Sequence, residues 1–240
     1  YHCLSSGINA EYMGMAIGSI HLSPVTFPLP SQRRCPNHSA SYYLSCRASK
    51  STLSSDPDPD PDRSLPAKQK LLTLISDEGR GVETQKNIAK RSKIVQAIEE
   101  LAVLGRDTVT TGPSLSDTWR LLWTTEKEQL FIIENAFRFG TQAGDVLQVI
   151  DVEKCVLNNV ITFPPHGAFF VRSGIKTVSP QRVNFIFTSA VLRGENWQIP
   201  LPPFGRGWFE SVYLDEDIRV VKDIRGDYLI VDRAPYSWKE

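Results

Sequence analysis

From Leu115 to the C-terminus, apolar and polar residues alternate with a period of two, and this pattern constrains the fold more than any other feature. Such alternation is typical of β-strands, because successive side chains of a strand point to opposite faces. Turn-forming pairs such as Asn158-Asn159, Pro164-Pro165 and Arg225-Gly226 interrupt it. The predicted strands cover residues 118–125, 129–134, 146–152, 156–163, 168–172, 182–192, 197–199, 208–214, 217–222 and 228–233. Short antiparallel strands with close connections indicate a β-barrel or a β-sandwich.

The alternation also predicts which side chains share a face of the sheet. Phe185 and Phe187 fall on one face of their strand, opposite polar residues. In the same way, Trp119, Leu121 and Trp123 are predicted to share a face. Large aromatic side chains inside a small barrel either fill it or line a cavity, and the sequence leaves both outcomes open.

Two amphipathic helices are predicted before the strands. Residues 66–80 suit a helix with Pro66 in its first turn and Gly79 near its end. Residues 91–104 carry apolar residues at helical spacing, and Gly105 follows as a helix stop. The polar face of the second helix mixes both charges, which favours packing on the rest of the domain over docking on a membrane.

Residues 1–55 have the composition of a plastid transit peptide. They contain about a dozen serines, four basic residues and one acidic residue, Glu11. They lack the apolar core of a secretory signal and any periodicity that would bury a face, so we expect this segment to be disordered. In residues 56–64, Asp and Pro alternate from Asp56 to Asp62, which predicts a stiff, solvated linker. The folded domain is expected to cover residues 65–240.

The charge distribution bears on the partners of the protein. Lys and Arg together number 27, as do Asp and Glu, and the folded part has no basic stripe of the kind that binds nucleic acid. No run reaches the roughly 18 to 20 apolar residues that a membrane-spanning helix needs. We therefore expect no nucleic-acid partner and no transmembrane span, while binding to a membrane surface stays open.

The chain lacks the motifs of the common enzyme classes. Beyond residues 1–55, His166 is the only histidine, and we interpret it as a solvated residue of a Pro-Pro-His-Gly turn. There is no GxSxG elbow, P-loop, HExxH motif or dinucleotide fingerprint, and the four cysteines do not have metal-ligand spacing. We therefore predict no catalytic residue, no metal site and no cofactor, and so a protein that is not an enzyme. Only an enzyme that uses carboxylates alone stays open, because Asp and Glu are abundant.

Five short motifs, in order along the chain, resemble the plastid lipid-associated proteins (PAP), also called fibrillins. They are WRLLWTTEKE at 119–128, FGT at 139–141, LNNV at 157–160, PLPP at 200–203, and the ending IRV at 218–220 with RGDYLIVDRAP at 225–235. The resemblance covers nearly all of the chain from Leu65 onward. It implies a mainly β fold, a lipocalin-like antiparallel β-barrel preceded by two α-helices, in a chloroplast or other plastid. It also implies association with isoprenoid or other apolar lipids at plastoglobules or thylakoid membranes.

Alternation and resemblance together predict a set of ligand-binding residues that line the barrel. They are Trp119, Trp123, Phe185, Phe187, Tyr228 and Asp232. Trp119 matches the tryptophan of the lipocalin Gly-x-Trp motif, but Asp117 replaces its glycine. For Asp232 two interpretations stand: a structural ion pair with a partner such as Arg219, or a polar anchor for a ligand head group, because an unpaired inward carboxylate is costly.

The turn before the strand at 208–214 predicts a membrane rim. Its members are Phe204, Arg206, Trp208 and Phe209. Aromatic rings favour the lipid interface and Arg206 suits anionic head groups, but these rings can equally close one end of the core. The main functional hypothesis is a non-enzymatic carrier or coat for apolar lipids, and the alternative is a plastid interaction scaffold without a ligand cavity. A continuous apolar pocket favours the carrier, whereas several carboxylates that converge in a pocket favour an enzyme.

Overall fold

The computed structural model describes residues 61–203 and 205–239. These residues form three α-helices, α1 (Pro61–Ile75), α2 (Ile88–Gly105) and α3 (Lys127–Asn135). The strands are β1 (Asp117–Thr124), β2 (Val146–Asp151), β3 (Val156–Phe163), β4 (Gly167–Thr177), β5 (Arg182–Arg193), β6 (Gln198–Leu201), β7 (Arg206–Leu214), β8 (Ile218–Asp223) and β9 (Tyr228–Arg233). The predicted transit peptide, linker residues 56–60 and Phe204 lie outside the described residues. Among the described helices, none combines the length and the apolar character needed to cross a membrane.

Eight of the strands close into an antiparallel β-barrel. Their order is β4-β3-β2-β1-β9-β8-β7-β5, and pairing between β4 and β5 completes the ring. β6 adds to the end of β5, where residues 198–201 pair with residues 190–193. Closure protects the strand edges that an open sheet leaves exposed. The predicted lipocalin-like barrel preceded by two helices is confirmed.

The first helix has different ends from those predicted. α1 begins at Pro61, within the segment predicted to be linker, and ends at Ile75 rather than at residue 80. It cannot continue through Gly79, Arg80 and Gly81, because their φ angles are 52°, 60° and 110°. This glycine-rich turn brings the backbone of residue 81 against the end of β1.

The second helix begins at Ile88, ahead of the predicted residue 91, because Asn87 caps it. The Asn87 Oδ1 accepts a hydrogen bond of 2.9 Å from the backbone N–H of Lys90. At its other end α2 extends to Gly105, where any β-carbon would lie 2.3 Å from the carbonyl oxygen of Val212. Only glycine permits this close approach between the helix and β7.

The strand predicted at residues 129–134 is wrong, because these residues belong to α3. The run from Leu130 to Ile133 is apolar throughout, and a short run without alternation fits a helix as well as a strand. α3 buries Leu130 and Ile132 and leaves Phe131 43% exposed. Ile132 belongs to the cluster of apolar side chains inside the barrel. α3, in the β1–β2 connection, therefore covers one end of the barrel.

Apolar side chains pack on both faces of the barrel wall. The interior cluster includes Trp119, Leu121 and Phe209. A second cluster joins α1 and α2 to the outer face of the barrel and contains Leu71, Ile75, Ile94, Ala97, Ile98, Leu101, Trp123, Tyr213, Ile218, Val220, Tyr228 and Ile230. A β-bulge shifts the pairing of β1 with β9 between Leu121 and Trp123. The bulge turns Trp123 to the helix side, so it does not share the face of Trp119 as the alternation predicted.

Candidate ligand-binding cavity

The interior of the barrel contains a cavity of about 210 Å³. Every strand of the closed ring contributes at least one apolar side chain to its wall. They are Leu121, Val146, Leu157, Ile161, Phe169, Val171, Phe185, Phe187, Phe209, Val221, Leu229 and Val231, with Ile132 of α3 at one end. A wall of this kind favours an apolar occupant, since burying apolar surface is the main favourable contribution to such binding.

Of the predicted lining residues, Phe185 and Phe187 lie in the cavity wall. Their rings stack with centroids 5.3 Å apart and planes inclined by 22°. Two glycines at the start of β7 make room for both rings. A β-carbon at Gly205 would lie 2.6 Å from the Phe187 ring, and one at Gly207 would lie 3.0 Å from the Phe185 ring.

Three further predicted lining residues lie elsewhere. Trp119 is fully buried inside the barrel but away from the cavity, and its Nε1 donates to the carbonyl of Leu115 at 3.0 Å. Trp123 and Tyr228 belong to the cluster under α1 and α2. Trp123 donates to the hydroxyl of Thr84 at 3.2 Å, in the connection between α1 and α2. Both rings pack against apolar side chains of the two helices.

Asp232 lies on the outer side of the barrel wall, not inside it. Both of its oxygens accept hydrogen bonds from Arg120, at 3.1 Å from Nε and 2.6 Å from Nη2. The alternation predicted an inward carboxylate, but Tyr228 and Ile230, which share its face, pack against the helices. Arg219, the partner suggested from the sequence, points to the opposite side of the wall. The structure thus places Asp232 in an ion pair rather than in the cavity.

Arg219 is a buried residue that the sequence did not identify as part of the site. Its side chain is fully buried inside the barrel, over the rings of Trp119 and Phe209 at 5.3 and 5.5 Å. It donates to Oε1 of Gln148, and Gln148 donates in turn to Oδ1 of Asn159 at 3.0 Å. Burial, together with the charge of Arg233, lowers the pKa of Arg219 to about 9. The sequence does contain a signal for this buried position, because Arg219 stands between the apolar residues Ile218 and Val220.

Polar side chains gather at the end of the cavity beside α3, which we call the mouth. They are the carboxylates Glu126, Glu128 and Asp223, together with Gln129 and Arg225. Arg225 pairs with Glu128 at 2.8 Å and, more distantly, with Asp223 at 3.7 Å. Burial and the nearby Asp223 raise the pKa of Glu126 to about 8, and burial raises the pKa of Asp223. Glu126 is therefore largely uncharged at neutral pH, which suits the entrance of an apolar cavity.

The three predicted rim residues that the structure describes do not form one surface. Phe209 is buried in the cavity wall, Trp208 lies under the guanidinium of Arg182 at 4.0 Å, and Arg206 is exposed. Apolar side chains are exposed instead on α3 and on the connections at the mouth end of the barrel. These segments, which we call the mouth loops, expose Phe131 of α3, Phe137, Trp197 and Ile224, with exposed fractions of 43%, 66%, 41% and 52%.

Other reactive groups lie away from the cavity. His166 is exposed and lies 3.8 Å from Glu195. Across the residues that the structure describes, no group of three or more His, Cys, Asp or Glu side chains could hold a metal ion. The polar side chains that line the cavity are therefore the Gln148 and Asn159 amides and the mouth residues, which include Gln129 and Arg225 beside the three carboxylates.

Residues 66–232 match the PAP_fibrillin family over more than half of the chain. The chain belongs to the PAP/fibrillin family. It is 72% identical over 174 residues to the "Probable plastid-lipid-associated protein 11, chloroplastic" of Arabidopsis thaliana, across 72% of this chain and 82% of that relative. No solved structure matches the chain. The resemblance inferred from the five motifs is confirmed, and this fibrillin is a chloroplast protein.

Proposed function

We propose that this fibrillin binds isoprenoid or other apolar lipids in its barrel, without catalysis, at plastoglobules or thylakoid membranes. The apolar cavity of about 210 Å³ is the observation that carries the proposal. The names of the family and of the Arabidopsis relative support it, since that relative is called lipid-associated. A scaffold without a ligand cavity fits less well, because a scaffold needs no apolar space inside its barrel.

The mouth carboxylates raise the question of an enzyme, because Glu126 and Asp223 both line the cavity and both have raised pKa values. Their hydrogen bonds favour a structural role. Asp223 accepts from the backbone N–H groups of Arg225 and Asp227, both at 2.8 Å, and so shapes the β8–β9 turn. Glu126 accepts from Gln129 in the first turn of α3. These carboxylates hold the mouth in place.

A pair of variants on one strand tests lipid binding. Val171 points into the cavity, while the next residue, Arg172, is exposed on the outer face. Val171→Trp fills the cavity, and Arg172→Trp adds the same ring outside it. We expect Val171→Trp to lose most binding of an environment-sensitive apolar dye and of its lipid competitors, while Arg172→Trp keeps wild-type affinity. Equal affinity in the two folded variants would place any lipid outside the barrel and refute the proposal.

The mouth loops are the proposed contact with the lipid surface. Their exposed apolar side chains surround the end through which a lipid reaches the cavity. We expect the double variant Phe131→Ser and Phe137→Ser to lose flotation with galactolipid vesicles. Val178→Ser is the matched control, because Val178 is 47% exposed on the β4–β5 turn at the opposite end of the barrel. Equal flotation of both variants would exclude docking through the mouth loops.

A further inference from the structure

Three polar side chains form a hydrogen-bonded chain on the inner face of the barrel, which we call the inner relay. Arg219 of β8 donates to Gln148 of β2, and Gln148 donates to Asn159 of β3. Gln148 and Asn159 line the cavity, and Arg219 is fully buried beside them. A polar chain in a mainly apolar interior needs a physical reason, because buried polar groups are costly unless they are satisfied.

The chemistry of arginine sets the direction of the inner relay. A guanidinium can only donate hydrogen bonds, so Gln148 must turn its oxygen toward Arg219 and its amide nitrogen toward Asn159. Asn159 must then accept with its oxygen, which leaves its own amide nitrogen as the last donor of the chain. Since Asn159 lines the cavity, the relay offers an N–H donor to the occupant.

Among the described residues, no acidic neighbour balances the charge of Arg219. Its Nε and Nη1 atoms are buried without a hydrogen-bond partner, and no described carboxylate forms an ion pair with it. The nearby aspartates Asp117 and Asp232 pair instead with Arg233 and Arg120. A buried cation without a counter-ion is destabilising, and an anion in the adjacent cavity would relieve that cost.

We propose that the inner relay binds the oxygenated end of an amphipathic lipid, preferably a carboxylate, with Asn159 as the donor and Arg219 as the source of favourable charge. This inference rests on the proposed function, because it orients a lipid within the same cavity. The volume of about 210 Å³ is below the roughly 300–1,000 Å³ of pockets that enclose a drug-sized ligand. The cavity therefore holds the oxygenated end and the first carbons, and the rest of the apolar chain leaves through the mouth.

Three probes with hydrocarbon chains of similar length test this orientation: oleate, methyl oleate and octadecene. Their affinities are measured by displacement of an apolar fluorescent dye from the folded protein. We expect oleate to bind most tightly, methyl oleate less tightly and octadecene least. Asn159→Leu should weaken oleate binding about tenfold or more, the scale of a hydrogen bond to a charged group, without weakening octadecene binding. Asn184→Leu is the matched control, because Asn184 is exposed on the outer face of β5.

Two further variants separate the donor from the charge. Asn159→Asp keeps the shape of the side chain and replaces its donor by an acceptor, so it should reject oleate even if Asn159→Leu fails to fold. Arg219→Met should weaken oleate binding and leave octadecene binding unchanged. Equal affinity for the three probes, or oleate binding that survives Asn159→Asp, would overturn the inner relay and leave the proposed function intact. Failure of all three probes to bind would overturn both.

Discussion

Replacing Glu126 with glutamine should stabilise the protein, and increasingly so as the pH rises. Glu126 lies at the start of α3 in the mouth, where burial and the charge of Asp223 raise its pKa from 4.5 to about 8. An unfolded chain releases this proton near pH 4.5, whereas the folded protein holds it until about pH 8. The folded state therefore loses stability across this window, at about 1.4 kcal/mol per pH unit.

The magnitude has an upper bound of about 5 kcal/mol at pH 8 and above, and no effect is expected below pH 4.5, where both states are protonated. Glutamine cannot ionise, so the variant lacks this loss. The assay is urea denaturation of Glu126→Gln and wild type at several pH values from 5 to 9, with the difference in unfolding free energy plotted against pH.

The control for this measurement is Glu128→Gln. It makes the same substitution two residues later, in the first turn of α3, where Glu128 forms an ion pair of 2.8 Å with Arg225. We expect this variant to show no stabilisation that grows with pH. A difference between Glu126→Gln and wild type that stays constant from pH 5 to 9 would show that the folded state does not hold this proton, and would refute the reasoning.

Three further substitutions test other parts of the structure. Asp232→Asn should lower the free energy of unfolding by about 1 kcal/mol in chemical denaturation, because it weakens the partly exposed ion pair with Arg120. It should leave dye affinity unchanged; a large loss of affinity would show that Asp232 takes part in ligand binding. Trp123→Ala should cost about 3–5 kcal/mol, measured in the same way, because it empties a fully buried position under the helices; a smaller loss would show that the helices pack without it. Gly205→Ala should lower both thermal stability and dye affinity, since its φ is 150° and the added carbon meets the Phe187 ring at 2.6 Å; wild-type values would show that this ring is free to move.

The strand bounds were predictable where turn-forming residues flank a segment rich in apolar and β-branched residues. The predicted bounds of β3 and β9 agree with the structure, because each is such a segment. α3 was missed because its four consecutive apolar residues have no period that separates strand from helix. Only the tertiary position of this segment, across the end of the barrel, selects the helix.

The candidate site was only partly predictable. Phe185 and Phe187 lie on an alternating face that does point into the cavity. The alternation predicts one face for Trp119 and Trp123, because the bulge between Leu121 and Trp123 is not visible in the apolar pattern. The sequence also does not show which face of β9 points into the barrel. Tyr228 and Ile230 are buried on the helix side, while Leu229 and Val231 are buried inside. When both faces of a strand are covered, alternation no longer identifies the interior.

The central claim, that this fibrillin binds an apolar lipid in the cavity of its barrel, is tested most directly by native mass spectrometry of the protein purified from chloroplasts. We predict wild-type protein and Arg172→Trp to carry bound lipid that leaves on delipidation, and Val171→Trp to be lipid-free. A lipid-free wild-type protein, or the same lipid retained by Val171→Trp, would contradict the account.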